Sequence, residues 1–541
     1  MKKITAVLLA LLLISALFSG CSKAESEGQA SPEPSVAATP TPETSPEETE
    51  EPQFFPLEST VTLEAWWPAA FGLSIITDMK DNLVFKEMYK RTNVDVKFTV
   101  PTQGSESESF NLLMASQEYP DMISSFSQYY NKGLDFAIED NVIVPLEDYL
   151  DLMPNIKALR DGNEDIRKGT TTDKGHFAGI PAVKADKNGQ PQGAWVGGVI
   201  RQDWLDKVGK DVPRTYDQME EVLKAFKDSG FTPHPLWIRS DCFTFGNIVN
   251  GGFHVSNGFY QVNGEVKFGP LEPGYRRYLE KLHDWYVKGF LNSDFYAYSG
   301  DIFGPIDKVA NNEYAVFDAI YTWYATYKQA AVDPDFKLTA IRSLVENEND
   351  KVHLRMTSDI ASTGLTVGYG SEYVELVCRF WDYLFSEEGI LLSNYGVQGE
   401  TFDYDENREP KWIGPLLSDE PGFNLSDAQG AYFLFNSAGY ILFDRETQVM
   451  DAESLEFVDI WNLDGTDYYF PGTATMTADE NTEYANVMGD INTLISESIV
   501  KFVIGEKSFS EYDAFIQEIR KLGIDRAIAA RQAALDRYMA R

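Results

Sequence analysis

Apolar residues form one nearly unbroken block, from Ile4 to Leu17, and elsewhere recur only at short periods. The block sits behind Lys2 and Lys3 and ends in the small residues Ser19 and Gly20. That is the charge, apolar core and cleavage pattern of a secretory signal over residues 1–20, and it is too short to span a bilayer comfortably. Residues 22–56 are rich in Pro, Glu, Ser and Thr and almost free of large apolar groups until Phe54. Such a stretch cannot bury enough surface to offset chain entropy, so a disordered tether is expected over 21–56.

Beyond it the pattern changes. Val61-Thr62-Leu63-Glu64-Ala65-Trp66-Trp67 alternates and predicts a strand. Thr215 with Gln218 predicts a capping box before a helix whose Met219, Val222, Leu223 and Phe226 share one face. A second helix is expected from about Pro273 to Gly289, and a third carries Val374, Val377, Trp381, Leu384 and Phe385. Strand-like and helix-like segments alternate over about 480 residues, too many for one core, which points to an α/β protein with two large lobes.

Charge narrows the partners. With 84 acidic and 46 basic side chains the balance is −38, spread along the chain, so nucleic acid, which needs a basic face, is not an expected partner. Of three cysteines, Cys242 and Cys378 lie far apart, too few for a zinc site; one bridge between them is the alternative to two free thiols. The five histidines are scattered, so neither a metal nor a cofactor is expected. HExxH, CxxC, GxSxG and GxxxxGK are all absent from the sequence. Asp186-Lys187-Asn188-Gly189 begins like a calcium loop but lacks its later acidic ligands, and Asn188-Gly189 reads as a turn.

Aromatic residues make up 13% of the chain, many of them in loop-like contexts. Trp66 and Trp67 end the first strand, Tyr129 and Tyr130 follow Met122-Ile123, Phe245 sits in a polar stretch, and Tyr321 and Trp323 follow a strand-like run at 314–317. In α/β lobes ligands bind beyond the carboxyl ends of strands, and flat rings with polar tips suit sugars. For each of these aromatics the alternative is core packing.

With Cys21 directly after Gly20, Leu17–Cys21 resembles a bacterial lipobox, which implies lipidation of Cys21 and an extracytoplasmic protein anchored to the cell membrane. The order of later segments resembles the extracytoplasmic solute-binding proteins of the maltose-binding type, and within them the large lipoproteins of oligosaccharide importers. The landmarks are Phe110–Asp121, Asn141–Lys157, Asp173–Pro181, Val199–Asp228, Tyr278–Phe295, Glu313–Tyr327, Arg379–Trp412 and Lys501–Asp525. The most specific is Val199–Asp228, with Arg201, Asp203, Trp204 and Leu205 ahead of the proline-capped helix. Where that branch often carries a calcium loop, this chain reads Asp228–Arg239 instead, so calcium is not implied.

The resemblance implies a two-lobed periplasmic-binding-protein fold of type II with a hinge, lobe 1 taking 57–183 and 305–370 and lobe 2 taking 184–304 and 371–541. It implies a monomeric binding protein that captures an oligosaccharide between the lobes and delivers it to an ABC transporter permease, without chemistry on the ligand. Cleft candidates by position are Trp66, Trp67, Tyr129, Tyr130, Phe245, Tyr321 and Trp323, with Arg201 either at the ligand or in lobe packing. The rival readings are a binder of another solute such as a peptide, and a secreted polysaccharide-degrading enzyme.

Overall fold

The computed structural model describes residues 54–68, 71–191, 193–238, 248–296, 304–417, 425–435 and 437–541. The signal segment, Cys21, Cys242, Phe245 and the tether up to residue 53 lie outside them. Residues 54–541 form one compact unit. It begins slightly earlier than the expected tether boundary, because Phe54 lies under the Arg379 guanidinium at 4.5 Å and Phe55 packs against the first core.

The strands are β1 (Val61–Trp66), β2 (Val94–Thr99), β3 (Met122–Ser124), β4 (Ile143–Val144), β5 (Ile180–Ala185), β6 (Val196–Arg201), β7 (Phe259–Val262), β8 (Glu265–Phe268), β9 (Val316–Ile320), β10 (Leu338–Ile341), β11 (Ala361–Gly368), β12 (Phe402–Tyr404), β13 (Pro410–Trp412) and β14 (Gly439–Leu442). Seven of them build the first sheet, in the order β14-β5-β11-β3-β1-β2 with β4 also beside β11. β1 runs parallel to both neighbours, while β11 is antiparallel to β3, β4 and β5. The predicted alternation of β1 holds: Leu63 and Ala65 join the first core and Glu64 is exposed. Helices Leu83–Thr92 and Val374–Tyr383 cover this sheet with Val84, Phe85, Met88, Val377 and Trp381. Asn82 caps the first of these, and its amide also donates to the Gly430 and Phe433 carbonyls at 2.9 Å each, pinning a distant segment there.

The second sheet is β10-β6-β9, antiparallel throughout. It is buried on both faces, which accounts for its short unbroken apolar runs. Ile200, Val316 and Ile341 face a core built with helices Tyr216–Asp228, Pro273–Val287, Ala478–Ile504 and Tyr512–Leu522. Val199, Phe317 and Ala340 face the other way, toward helix Ala452–Trp461. Gly197 is required there: a Cβ would come within 2.5 Å of the Trp461 ring, whose Nε1 donates to the Gly198 carbonyl at 2.9 Å. The capping box at Thr215 and Gln218 is present, as the sequence predicts.

The chain crosses between the two sheets three times, through 186–195, 342–360 and 443–451. This corrects the expected lobe boundaries in two places. Residues 305–341 lie with the second sheet, because β9 and β10 pair with the two edges of β6. Residues 374–442 lie with the first, because Val377, Trp381 and Leu392 fill its core and β14 extends it beside β5. The first crossing opens with the expected turn at Asn188-Gly189, Gly189 at φ +74° and Asp186 taking the Asn188 and Gln190 amides at 2.8 Å. That turn is tied to the third crossing by the Lys187 amide on Asp444 at 2.8 Å, and to β14 just ahead of it by the Tyr440 hydroxyl on the Asp186 carbonyl at 3.0 Å. Cys378 is a free thiol buried in the first core, its pKa pushed up to about 12 by burial.

Candidate functional site

Strand polarity fixes where a site forms. The carboxyl ends of β1, β3 and β9 deliver Pro68, Ser125 and Tyr321 to a cleft made of two adjoining hollows of about 870 and 830 Å3. Phe71, Lys184 and Ile441 line both. The first hollow belongs to the first sheet's side, with Gln103, Glu106, Gln128, Tyr129 and Thr363 around it. The second is lined from both sides: Trp195, Tyr321 and Trp323 come from the second sheet's connections, Gln429 from the first sheet's side, and Arg445 and Glu446 from the third crossing. Each volume suits a ligand of several rings.

Three of the expected site residues line this cleft. Tyr129 sits on the wall of the first hollow and Tyr321 and Trp323 on that of the second. Trp323 closes the single turn Tyr321–Trp323 that follows β9, half-buried, with its ring 6.2 Å from Tyr327 and edge-on to it. Tyr321 is only 3% exposed; its ring stands edge-on to Phe443 at 5.6 Å and its hydroxyl donates to Glu446, so this aromatic joins the third crossing to the end of β9.

Four expected residues do not line either hollow. Trp66 and Trp67 are each 2% exposed. Trp66 is edge-on to Phe110 and Tyr129 at 5.3 and 5.4 Å, with its Nε1 on the Ser109 hydroxyl at 3.1 Å. Trp67 lies parallel to Trp381 at 6.4 Å, between Phe85 and Phe98. Burying rings of that area outweighs any placement at a strand end. Tyr130 stacks on Phe126 at 4.8 Å, and burial pushes its phenol up to about 12.

For Arg201 the structure shows the second of its two readings, lobe packing. It is 0% exposed and its guanidinium grips Asp203 with two bonds of 2.8 Å and Asp333 with one of 3.1 Å. It also lies over Trp204 and Phe336 at 4.4 and 4.6 Å. The sequence landmark around Arg201 is therefore a packing device of the second sheet. Phe245 lies outside the described residues.

The sequence reading missed Phe71, Trp195, Lys184, Gln429, Arg445 and Glu446. Lys184 was legible in principle. In Ile180-Pro181-Ala182-Val183-Lys184-Ala185 the core takes Val183 and Ala185, so period two turns Ala182 and Lys184 to the cleft. Burial holds the Lys184 ammonium below the ordinary lysine range, opposed by the Glu446 carboxylate and reinforced by Arg445. Burial likewise lowers the Arg445 guanidinium, with Glu446 opposing it. Among the described residues no group of three or more His, Cys, Asp or Glu is placed to hold a metal, and no helix is long and apolar enough to cross a membrane.

No protein-family model matches the chain. Among curated proteins it is 22% identical over 525 residues to the fructooligosaccharide ABC transporter substrate-binding protein FusA of Streptococcus pneumoniae, covering 90% of this chain and 92% of the relative. It is 27% identical over 465 residues to the polygalacturonan/rhamnogalacturonan-binding protein YtcQ of Bacillus subtilis, covering 82% of this chain and 86% of that one. An extracellular solute-binding protein from Bifidobacterium longum subsp. infantis superposes with a TM-score of 0.74 at 17% identity, over 88% of this chain and 98% of the other. The alginate-binding protein AlgQ2 does so with a TM-score of 0.67 at 21% identity, over 89% and 99%. The fold is thus that of the solute-binding proteins, and the resemblance drawn from the ordered sequence landmarks is borne out.

Proposed function

We propose that this chain is the solute-binding component of an ABC importer and captures an oligosaccharide in the cleft between its two sheets. One observation carries the reading: half-exposed or exposed aromatics from both sides, Phe71, Tyr129, Trp195 and Trp323, converge on one cleft together with amide, hydroxyl and charged side chains. A sugar ring has one apolar face and a rim of hydroxyls, and this pairing of flat rings with short polar groups matches both. By their names, the relatives above bind fructooligosaccharide, polygalacturonan/rhamnogalacturonan and alginate, which supports carbohydrate as the ligand class.

In this reading the two bodies are residues 54–185 with 361–442, and 196–341 with 452–541, hinged at the three crossings. Closure brings Trp323 and Trp195 down on a sugar already resting against Phe71 and Tyr129. The ligand's extra contacts with the second body favour the closed form, and a micromolar dissociation constant, about −8 kcal/mol, is ample to shift a hinge equilibrium of a few kcal/mol. The closed form docks on a membrane permease and releases the sugar unaltered. The protein works as a monomer outside the cytoplasm, tethered through lipid on Cys21.

The test is a thermal-shift panel of neutral and acidic oligosaccharides on the protein with Cys21→Ser and no signal segment. A ligand present at 100 times its dissociation constant adds about 2.7 kcal/mol and raises the melting temperature. Stabilisation by a sugar recovered intact supports the proposal. Stabilisation by peptides alone points to another solute class, and consumption of the sugar points to an enzyme.

A further inference from the structure

The second hollow gathers hydrogen-bond donors that the protein itself leaves unused. Arg445 is 0% exposed, and its Nη1 donates to the Asn394 side-chain oxygen at 3.0 Å and the Leu434 carbonyl at 3.3 Å. Its Nε and Nη2, although buried, have no acceptor among the described residues. The same holds for the side-chain nitrogen of Gln429 on the same wall. Lys184 lies where the two hollows meet, and among the described residues its ammonium has neither an ion pair within 4 Å nor a hydrogen bond. A buried donor without an acceptor is costly, and a buried cation without a counter-charge more so, so this hollow favours a ligand that brings negative charge.

The charges of the second hollow do not cancel. Its lining carries two cations, Lys184 and Arg445, against one carboxylate, Glu446, which already accepts the Tyr321 hydroxyl. The first hollow has the opposite bias, with Glu106 and Asp427 against the shared Lys184. The surplus positive charge therefore lies at one end of the cleft of a protein whose overall balance is −38. A sugar hydroxyl would accept a bond from Lys184 but would leave the charge standing. A carboxylate answers the charge: the Lys184 ammonium can pair with it directly, and the buried Arg445 guanidinium lies behind as a second positive charge.

Resting on the oligosaccharide reading above, we propose that the second hollow is an acidic-sugar subsite: it seats a uronic acid residue, its carboxylate paired with the Lys184 ammonium and facing the positive charge of the buried Arg445 guanidinium. The ring of that residue lies beside Trp323, and the first hollow takes a neutral part of the same chain. The substrate class is then an oligosaccharide bearing at least one acidic residue, despite the acidity of the protein as a whole. Over the few ångströms of the pocket the local pair dominates, because exposed charges more than about 10 Å away are screened at 0.1 M salt.

The experiment is calorimetric titration of the purified protein with oligosaccharides containing galacturonate, glucuronate or mannuronate, each beside its carboxyl-reduced neutral counterpart. The expected result is that at least one acidic oligomer binds tenfold or more tightly than its reduced counterpart. Lys184→Met should then cut the preference for the acidic over the reduced oligomer about tenfold. Arg445→Met is the second variant; where its burial makes it fail to fold, judged by circular dichroism, the Lys184 variant still decides. Tight binding of reduced and acidic forms alike overturns the acidic subsite and leaves the oligosaccharide reading standing. A preference that survives Lys184→Met overturns the assignment of this residue and with it the subsite. Failure of every carbohydrate to bind overturns both readings.

Discussion

Replacing Arg201 with methionine separates a structural from a ligand-binding role for the most specific landmark in the sequence. The substitution keeps most of the apolar stem between Trp204 and Phe336 but removes the charge that serves Asp203 and Asp333. Their side chains are 7% and 18% exposed, so both carboxylates lose a partner they cannot fully replace with water. Breaking one side of a buried ion pair costs about 3–5 kcal/mol. Lys207 reaches the same carboxylates at 3.6 and 3.5 Å and offsets part of the loss, which places the expected destabilisation near the lower end, about 3 kcal/mol. Urea unfolding followed by circular dichroism measures it, with sugar affinity measured alongside by calorimetry. The double variant Arg201→Met with Asp203→Asn should recover part of the stability, since it removes an orphaned charge. An unchanged urea midpoint with a tenfold loss of affinity would refute the reasoning and return Arg201 to the ligand.

Two further predictions follow from the cleft and from the second sheet. Trp323→Ala should weaken sugar binding by more than about 1 kcal/mol, roughly fivefold, with the melting temperature of the free protein nearly unchanged; unaltered affinity removes Trp323 from the site. Burial raises the Asp318 carboxyl on β9 to about 7, with the Ile248 amide opposing, against an ordinary value of 3.8. The unfolded carboxyl ionises near pH 4 and the folded one near pH 7, so across that window the native state keeps a proton the unfolded state has lost, and stability falls as pH rises. Asp318→Asn should therefore raise the urea midpoint at pH 8 and have no such effect near pH 4; an equal effect at both would contradict the assignment.

What the sequence made legible was set by periodicity. The Thr215 capping box, the alternating strand at Val61 and the helix stripes through Tyr278 and Trp381 all survive, because their residue types report burial on one face. Composition could not tell a ring in a core from a ring at a cleft. Trp66 and Trp323 both follow strand-like runs, yet the first is enclosed by Phe110 and Tyr129 and the second is left half-buried. The lobe boundaries failed for a topological reason: the chain crosses a third time at 443–451, and pairing of β9 and β10 with β6 leaves no local mark in the sequence. Arg445 and Glu446 were invisible for the same reason, since they enter the cleft only through that third crossing.

The most direct test is hydrogen–deuterium exchange with and without the sugar found by the panel, with the recovered ligand checked by mass. Slowed exchange is expected at 320–326 from one body, at 362–364 and 439–442 from the other, and at 443–446 in the third crossing, with the sugar unaltered. Protection confined to one body, or gathered instead around Asp173 and the C-terminal residues Arg537 and Arg541, would contradict it.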